Sequence, residues 1–152
     1  MAETRAVGRT DAGRRRLSNE DSFGIFAPTL SFQPALYIVA DGMGGHAAGE
    51  VASALAVEQV AAAFKREVSL NLTKRIQQAI HLANTAIIHA ADDDATRRGM
   101  GSTIVCAVIQ GNQLVSAHVG DSRLYRVRGS SIDRLTVDHS MVEEQVRAGL
   151  LS

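Results

Sequence analysis

The chain has 152 residues, 45% of them hydrophobic, which fits one domain able to bury roughly 70% of its unfolded surface. Lys+Arg and Asp+Glu both number 16, so the net charge is zero with histidine neutral. That balance leaves no global field to favour DNA, RNA or an anionic membrane as partner, and any affinity for phosphate has to be local.

The N-terminus, Met1-Ala2-Glu3-Thr4-Arg5, lacks the basic-then-apolar pattern of a signal peptide, and no apolar run reaches the ~20 residues that span a bilayer. With a single cysteine, and so no internal disulfide framework, the chain reads as cytoplasmic. Thr4 to Thr10 alternates loosely and is expected as a first strand. Ser22 to Ala27 is a short apolar strand, followed by a loop that holds both prolines, Pro28 and Pro34. Leu36 to Ala40 reads as a buried-type strand ending at Asp41, before the bend Gly42-Met43-Gly44-Gly45. Two helices come next. Glu50 to Arg66 carries Val57, Val60, Ala61 and Phe64 on one stripe. Leu72 to Ala91, with Asn71 as N-cap, carries Leu72, Ile76, Ile80, Ala83 and Ile87 at helical period. Its two histidines, His81 and His89, are expected to be solvated rather than metal-binding.

The last third turns to strands at Ser102 to Ile109, Gln113 to Val119 and Leu124 to Val127, punctuated by Gly111-Asn112 and Gly120-Asp121, with Ser131 to Leu135 as a further strand. Cys106 lies inside the first of these runs, as a small buried hydrophobe rather than a nucleophile. Ser140 to Arg147 reads as a short helix with a capping box from Ser140 and Glu143. Strands, two helices, then strands indicate a single α+β domain over residues 1–152 with mainly antiparallel pairing.

Three clusters carry chemistry. Arg14-Arg15-Arg16 stands beside Asn19-Glu20-Asp21: a guanidinium can grip phosphate by two hydrogen bonds, but the adjacent carboxylates would repel it unless a cation intervenes. Asp41-Gly42-Met43-Gly44-Gly45-His46 places a carboxylate at the end of a strand beside glycines that let backbone approach and leave a carbonyl accessible, which suits a hard divalent cation such as Mg²⁺ or Mn²⁺. Gly120-Asp121-Ser122-Arg123 puts a third carboxylate between two strands, where by itself it is an ordinary hairpin turn. Gly42-x-Gly44-x-x-Ala47 also has the form of a dinucleotide fingerprint, but Asp41 would face the incoming pyrophosphate and the chain lacks regular strand–helix alternation. A Walker-type loop is excluded because no Gly-Lys-Ser/Thr follows a glycine-rich stretch.

In this order the clusters, with Gly99-Met100-Gly101-Ser102-Thr103 and Leu135-Thr136-Val137-Asp138-His139-Ser140, resemble the metal-dependent protein serine/threonine phosphatases of the 2C type, in particular their compact bacterial branch. The resemblance runs from about Arg5 to the end of the chain. It implies two packed antiparallel sheets flanked by helices, an α-β-β-α sandwich, with metals at one edge between the sheets. It implies that Asp41 bridges two ions, that the Gly42 carbonyl binds one of them, and that Glu20 and Asp21 hold metal-bound waters or bind directly. Arg16 would grip the substrate phosphate and Asp121 would help bind a third, weaker ion. The cofactor would be Mn²⁺ or Mg²⁺, and the reaction hydrolysis of phosphoserine and phosphothreonine on phosphorylated proteins by a water activated between the cations.

Two departures accompany the resemblance. Met43 stands where many relatives outside the bacterial branch have a histidine, with His46 nearby. The family also continues past the point where this chain stops, with further strands and two more metal-binding aspartates. The 152 residues are therefore expected to be incomplete at the C-terminus, with unpaired strand edges that favour low stability or self-association. Besides an active phosphatase, two other readings stand: a catalytically impaired fragment that binds phosphoproteins or a partner, and a dinucleotide-binding module.

Overall fold

The computed structural model describes residues 4–14, 18–28, 30, 32–44, 47–69 and 71–139. Strand β1 (Asp21–Phe26) pairs antiparallel with β2 (Ala35–Met43), and the loop between them carries the two prolines. β2 then pairs with the short β3 (Gly101–Ser102) and with β4 (Ile104–Gln110), and β4 turns at Gly111, φ +57°, into β5 (Gln113–Val119). The result is one antiparallel sheet in the order β1-β2-β4-β5, with β3 beside the end of β2. β6 (Tyr125–Arg128) and β7 (Ser131–Arg134) form a separate two-stranded hairpin, clasped by an Arg126–Asp133 ion pair at 2.9 Å.

Helices α1 (Ala47–Arg66) and α2 (Leu72–Asp92) pack on each other, and α1 lies against β1 and β2. The expected stripes are the buried ones: Val57, Val60, Ala61 and Phe64 of α1 and Ile76, Ala83 and Ile87 of α2 meet Leu36, Ile38, Ala40, Cys106 and Val108 of the sheet. Burying a side chain of the size of Ile76 is worth about 1.5–3 kcal/mol. Asn71 caps α2 as expected, its side chain accepting from Lys74 N at 3.0 Å. Ser53, fully buried on α1, is satisfied by Ser22 Oγ at 3.0 Å and by the Glu50 carbonyl at 3.2 Å.

The α+β class and the two antiparallel sheets match expectation, but several details differ. Among the described residues both helices cover one face of the large sheet, and the second sheet is a hairpin. β2 is therefore buried on one side only: Leu36, Ile38, Ala40 and Gly42 face the helices, whereas Val39, Asp41 and Met43 are exposed. Thr4 to Thr10 is not a strand. The segment is exposed and makes no ladder with the sheet, and Gly8 sits against the Phe23 ring. The run from Ser102 to Ile109 is interrupted at Thr103, and α1 starts at Ala47 rather than Glu50. The helix expected at Ser140 to Arg147 lies outside the described residues.

Candidate active site

The site grows from strand register. In β1–β2, Asp21 lies opposite Asp41. Val39 opposite Val105 and Gly42 opposite Ser102 keep one register on both sides of the β3–β4 break, which sets Thr103 across from Asp41. Ile104 opposite Val119 then sets Gly120 across from Thr103. One transverse row at the end of the sheet thus reads Asp21, Asp41, Thr103, Gly120, with Asp121 next in the chain.

The two backbone polar groups of Asp41 point toward Thr103: Thr103 N donates to the Asp41 carbonyl at 2.9 Å and Asp41 N donates to Thr103 Oγ1 at 3.1 Å. Asp21 and Asp41 are consequently a non-hydrogen-bonded pair, the kind in which cross-strand side chains approach most closely, with Cβ atoms about 4.5–5.5 Å apart. Like charges in that position are destabilising, and a cation beside them relieves the repulsion.

Gly42 follows, and its N–H donates to the Glu20 carbonyl at 3.0 Å. A Cβ built there would stand 1.9 Å from the Gly49 carbonyl oxygen of α1, so only glycine lets helix and strand come this close. Glu20 points the other way from Asp21. Its carboxylate lies against Gly49, with Cδ 2.8 Å from a Cβ built at that residue. Asn19 organises the entry to β1, accepting from Asp21 N at 3.1 Å and donating to Thr10 Oγ1 at 2.8 Å.

Asp121 is exposed and follows Gly120, whose φ of +97° shapes the turn after β5. That turn is braced from the segment after β7. His139 N donates to the Gly120 carbonyl at 3.0 Å, Gly120 N donates to His139 Nδ1 at 3.4 Å, and the His139 ring stacks on His118 at 4.6 Å. Arg123 clasps Asp138 through Nε at 3.1 Å and Nη2 at 2.6 Å. The hydrogen bonds from Arg123 hold the Asp138 carboxyl below the usual carboxylate range. Asp138 and His139 therefore serve as struts for the turn after β5.

Of the residues singled out in sequence, the fold brings Asp21, Asp41, Gly42 and Asp121 to one end of the sheet and sets Glu20 beside them on the helix side. Arg16 and His46 lie outside the described residues. Among the described residues no three side chains of His, Cys, Asp or Glu gather into a group that would hold a metal ion. The carboxylates at this end of the sheet and the neighbouring backbone oxygens are hard-oxygen groups, the chemistry that suits an ion that keeps several waters. His81 and His89 are solvent-exposed on α2. Cys106 is fully buried, and burial pushes its thiol up to about 12, which removes it as a nucleophile. Thr103 and Ser122 do not stand out as individuals in the sequence, although both sit in glycine-containing motifs.

The protein phosphatase 2C profile matches residues 10–146. The chain belongs to the protein phosphatase 2C family. It is 42% identical over 148 residues to the serine/threonine phosphatase stp of Listeria welshimeri, covering 95% of this chain and 58% of that protein. The solved structure of serine/threonine phosphatase Stp1 from Staphylococcus aureus superposes with a TM-score of 0.82 at 33% identity, over all of this chain and 63% of that one. The catalytic domain of the phosphatase PstP, solved in complex with two manganese ions, matches with a TM-score of 0.79 at 36% identity, over 95% of this chain and 60% of that one. The chain thus spans a little under two thirds of the length of these phosphatase 2C relatives. Among the described residues no helix is long and apolar enough to cross a membrane.

Proposed function

We propose that the protein carrying this chain hydrolyses phosphoserine and phosphothreonine on proteins in the cytoplasm, with Mn²⁺ or Mg²⁺ as cofactor. The observation that carries the reading is the Asp21–Asp41 pair, two carboxylates side by side at the end of a sheet in a phosphatase 2C chain. Asp41, Asp21 and the Gly42 carbonyl would hold the cations, with Glu20 accepting from water on them and Asp121 binding a further, weaker ion. The bound ions would neutralise phosphoryl oxygens and acidify the attacking water. The chain's own residues set the geometry. The Gly42–Gly49 contact seats the β2 bend on α1, and the hydrogen bonds around Asp41 fix the backbone that carries its carboxylate. Arg16 would grip the phosphate by a two-pronged hydrogen bond.

The test is hydrolysis of p-nitrophenyl phosphate and of a phosphothreonine peptide in Mn²⁺, with and without chelator. Turnover that chelator abolishes, and that Asp41→Asn lowers by more than ~100-fold, supports the reading, since residues that merely orient ligands already account for ~10–100-fold. Turnover indifferent to both would refute it. The partial set of carboxylates among the described residues gives weight to a second reading, in which these 152 residues bind phosphopeptide or a partner without turnover. That reading predicts a folded protein with peptide affinity and no metal-dependent rate.

A further inference from the structure

The motif Gly99-Met100-Gly101-Ser102-Thr103 has no part in the chemistry above, yet it holds both backbone polar groups of Asp41. In an antiparallel ladder, Asp41 N would bond to the carbonyl of the residue opposite. Here it donates to the Thr103 hydroxyl at 3.1 Å, while the Thr103 carbonyl takes the Ser102 hydroxyl at 2.7 Å. The Asp41 carbonyl accepts from Thr103 N at 2.9 Å and shares the Ser102 hydroxyl, 3.2 Å away, with the Thr103 carbonyl. The same Thr103 hydroxyl shares a hydrogen bond with Ser122 Oγ at 2.6 Å, one residue beyond Asp121. On the far side the Thr103 methyl fills the space over Gly120, where a built Cβ would stand 2.8 Å from it. A single hydroxyl therefore joins two segments, one 62 residues before Thr103 and the other 19 residues after it.

We propose that Thr103 is a positioning residue: its hydroxyl fixes the backbone that carries Asp41 and ties it to the turn that carries Asp121, so that the two carboxylates bind cations as one unit. Valine has the shape of threonine without the oxygen, so it leaves Asp41 N and Ser122 Oγ without this partner while keeping the methyl over Gly120. Serine keeps the oxygen and loses only the methyl. The role rests on the assignment of Asp41 and Asp121 as cation ligands, and the experiment separates the two claims.

Backbone amide exchange and chemical shifts test the link without any metal. Thr103→Val is expected to lose protection at the Asp41 amide and to move the Asp121 and Ser122 resonances, and Thr103→Ser to restore both. Ser122→Ala, which breaks only the second half of the link, should move Asp121 and leave the Asp41 amide protected. Titration with Mn²⁺ then tests the consequence. Thr103→Val should weaken binding by ~10–100-fold, the range for residues that orient ligands, and Thr103→Ser should return to within a few-fold of the parent protein. An Asp41 amide and an Asp121 resonance unmoved in Thr103→Val would overturn the link whatever the metal does. Loss of the link with unchanged Mn²⁺ affinity would overturn its role in cation binding. Parent protein and Asp41→Asn with equal Mn²⁺ affinity would instead overturn the ligand assignment, and this role with it.

Discussion

At Gly42 a methyl group would fall 1.9 Å from the Gly49 carbonyl oxygen and 2.8 Å from the Glu20 carbonyl, both backbone atoms that cannot swing aside. Gly42→Ala is expected to lower stability toward the upper end of the about 1–3 kcal/mol typical of overpacking, and to weaken Mn²⁺ binding because the adjoining Asp41 must move. Gly111→Ala is the matched control. It has φ +57° with nothing within 4 Å, so it should cost only the left-handed strain of about 1–2 kcal/mol and leave Mn²⁺ binding unchanged. Urea denaturation midpoints and Mn²⁺ titration check both; equal losses of affinity would mean that Gly42 is not special. Much at this scale was legible in sequence. Asp41 beside glycines is a local pattern, and Cys106 within an apolar run is recognisable as core. Thr103 was not legible in the same way. Its partner Asp41 is 62 positions away, and only the register of three strands brings them face to face.

The elements behave as local physics requires, and α2 is the clearest case. Asn71 supplies the cap, and Ile76, Ala83 and Ile87 make the buried stripe. Asn71→Ala should lower stability by about 1 kcal/mol, and Ile76→Ala, which empties a fully enclosed position, by about 2–5 kcal/mol. Neither residue touches the row from Asp21 to Gly120, so both variants should keep the parent's Mn²⁺ affinity when assayed below their unfolding midpoints. A change in affinity as large as that of Gly42→Ala would show that α2 shapes the site directly. Helix periodicity was readable because α2 buries its own stripe whatever its partner. Strand burial was less so. The apolar run of β2 reads as buried on both faces, but its outer face is covered only by what lies across the sheet, which periodicity does not report. The stretch before Thr10 departs from expectation for a related reason: alternation suggests a strand, but a strand exists only where an edge offers ladder bonds.

Across the whole molecule the two faces of the large sheet are unequal. One is sealed by α1 and α2. The other presents Phe23 and Ile25, each 40% exposed, Val39 at 52% and Tyr125 at 47%, around a groove of about 730 Å³ under the segment 4–10. Contiguous apolar surface of this kind on an isolated protein marks an interaction surface or an aggregation liability, because each uncovered side chain forgoes burial worth about 25 cal/mol per Å². A protein of only these 152 residues is therefore expected to self-associate at micromolar concentration and to enhance the fluorescence of a hydrophobic dye. Val39→Lys tests the cause. Val39 is the most exposed of the four side chains, so a lysine there can reach water without disturbing the helix-side core. The charge should oppose a second apolar surface settling on the sheet, so light scattering after size exclusion should move toward the monomer mass and dye fluorescence should fall. The hydrogen bonds around Thr103 should survive the change, since Val39 takes no part in them. A parent protein that is already a well-behaved monomer with no dye response would refute the expectation and leave the face covered by the protein's own segment 4–10.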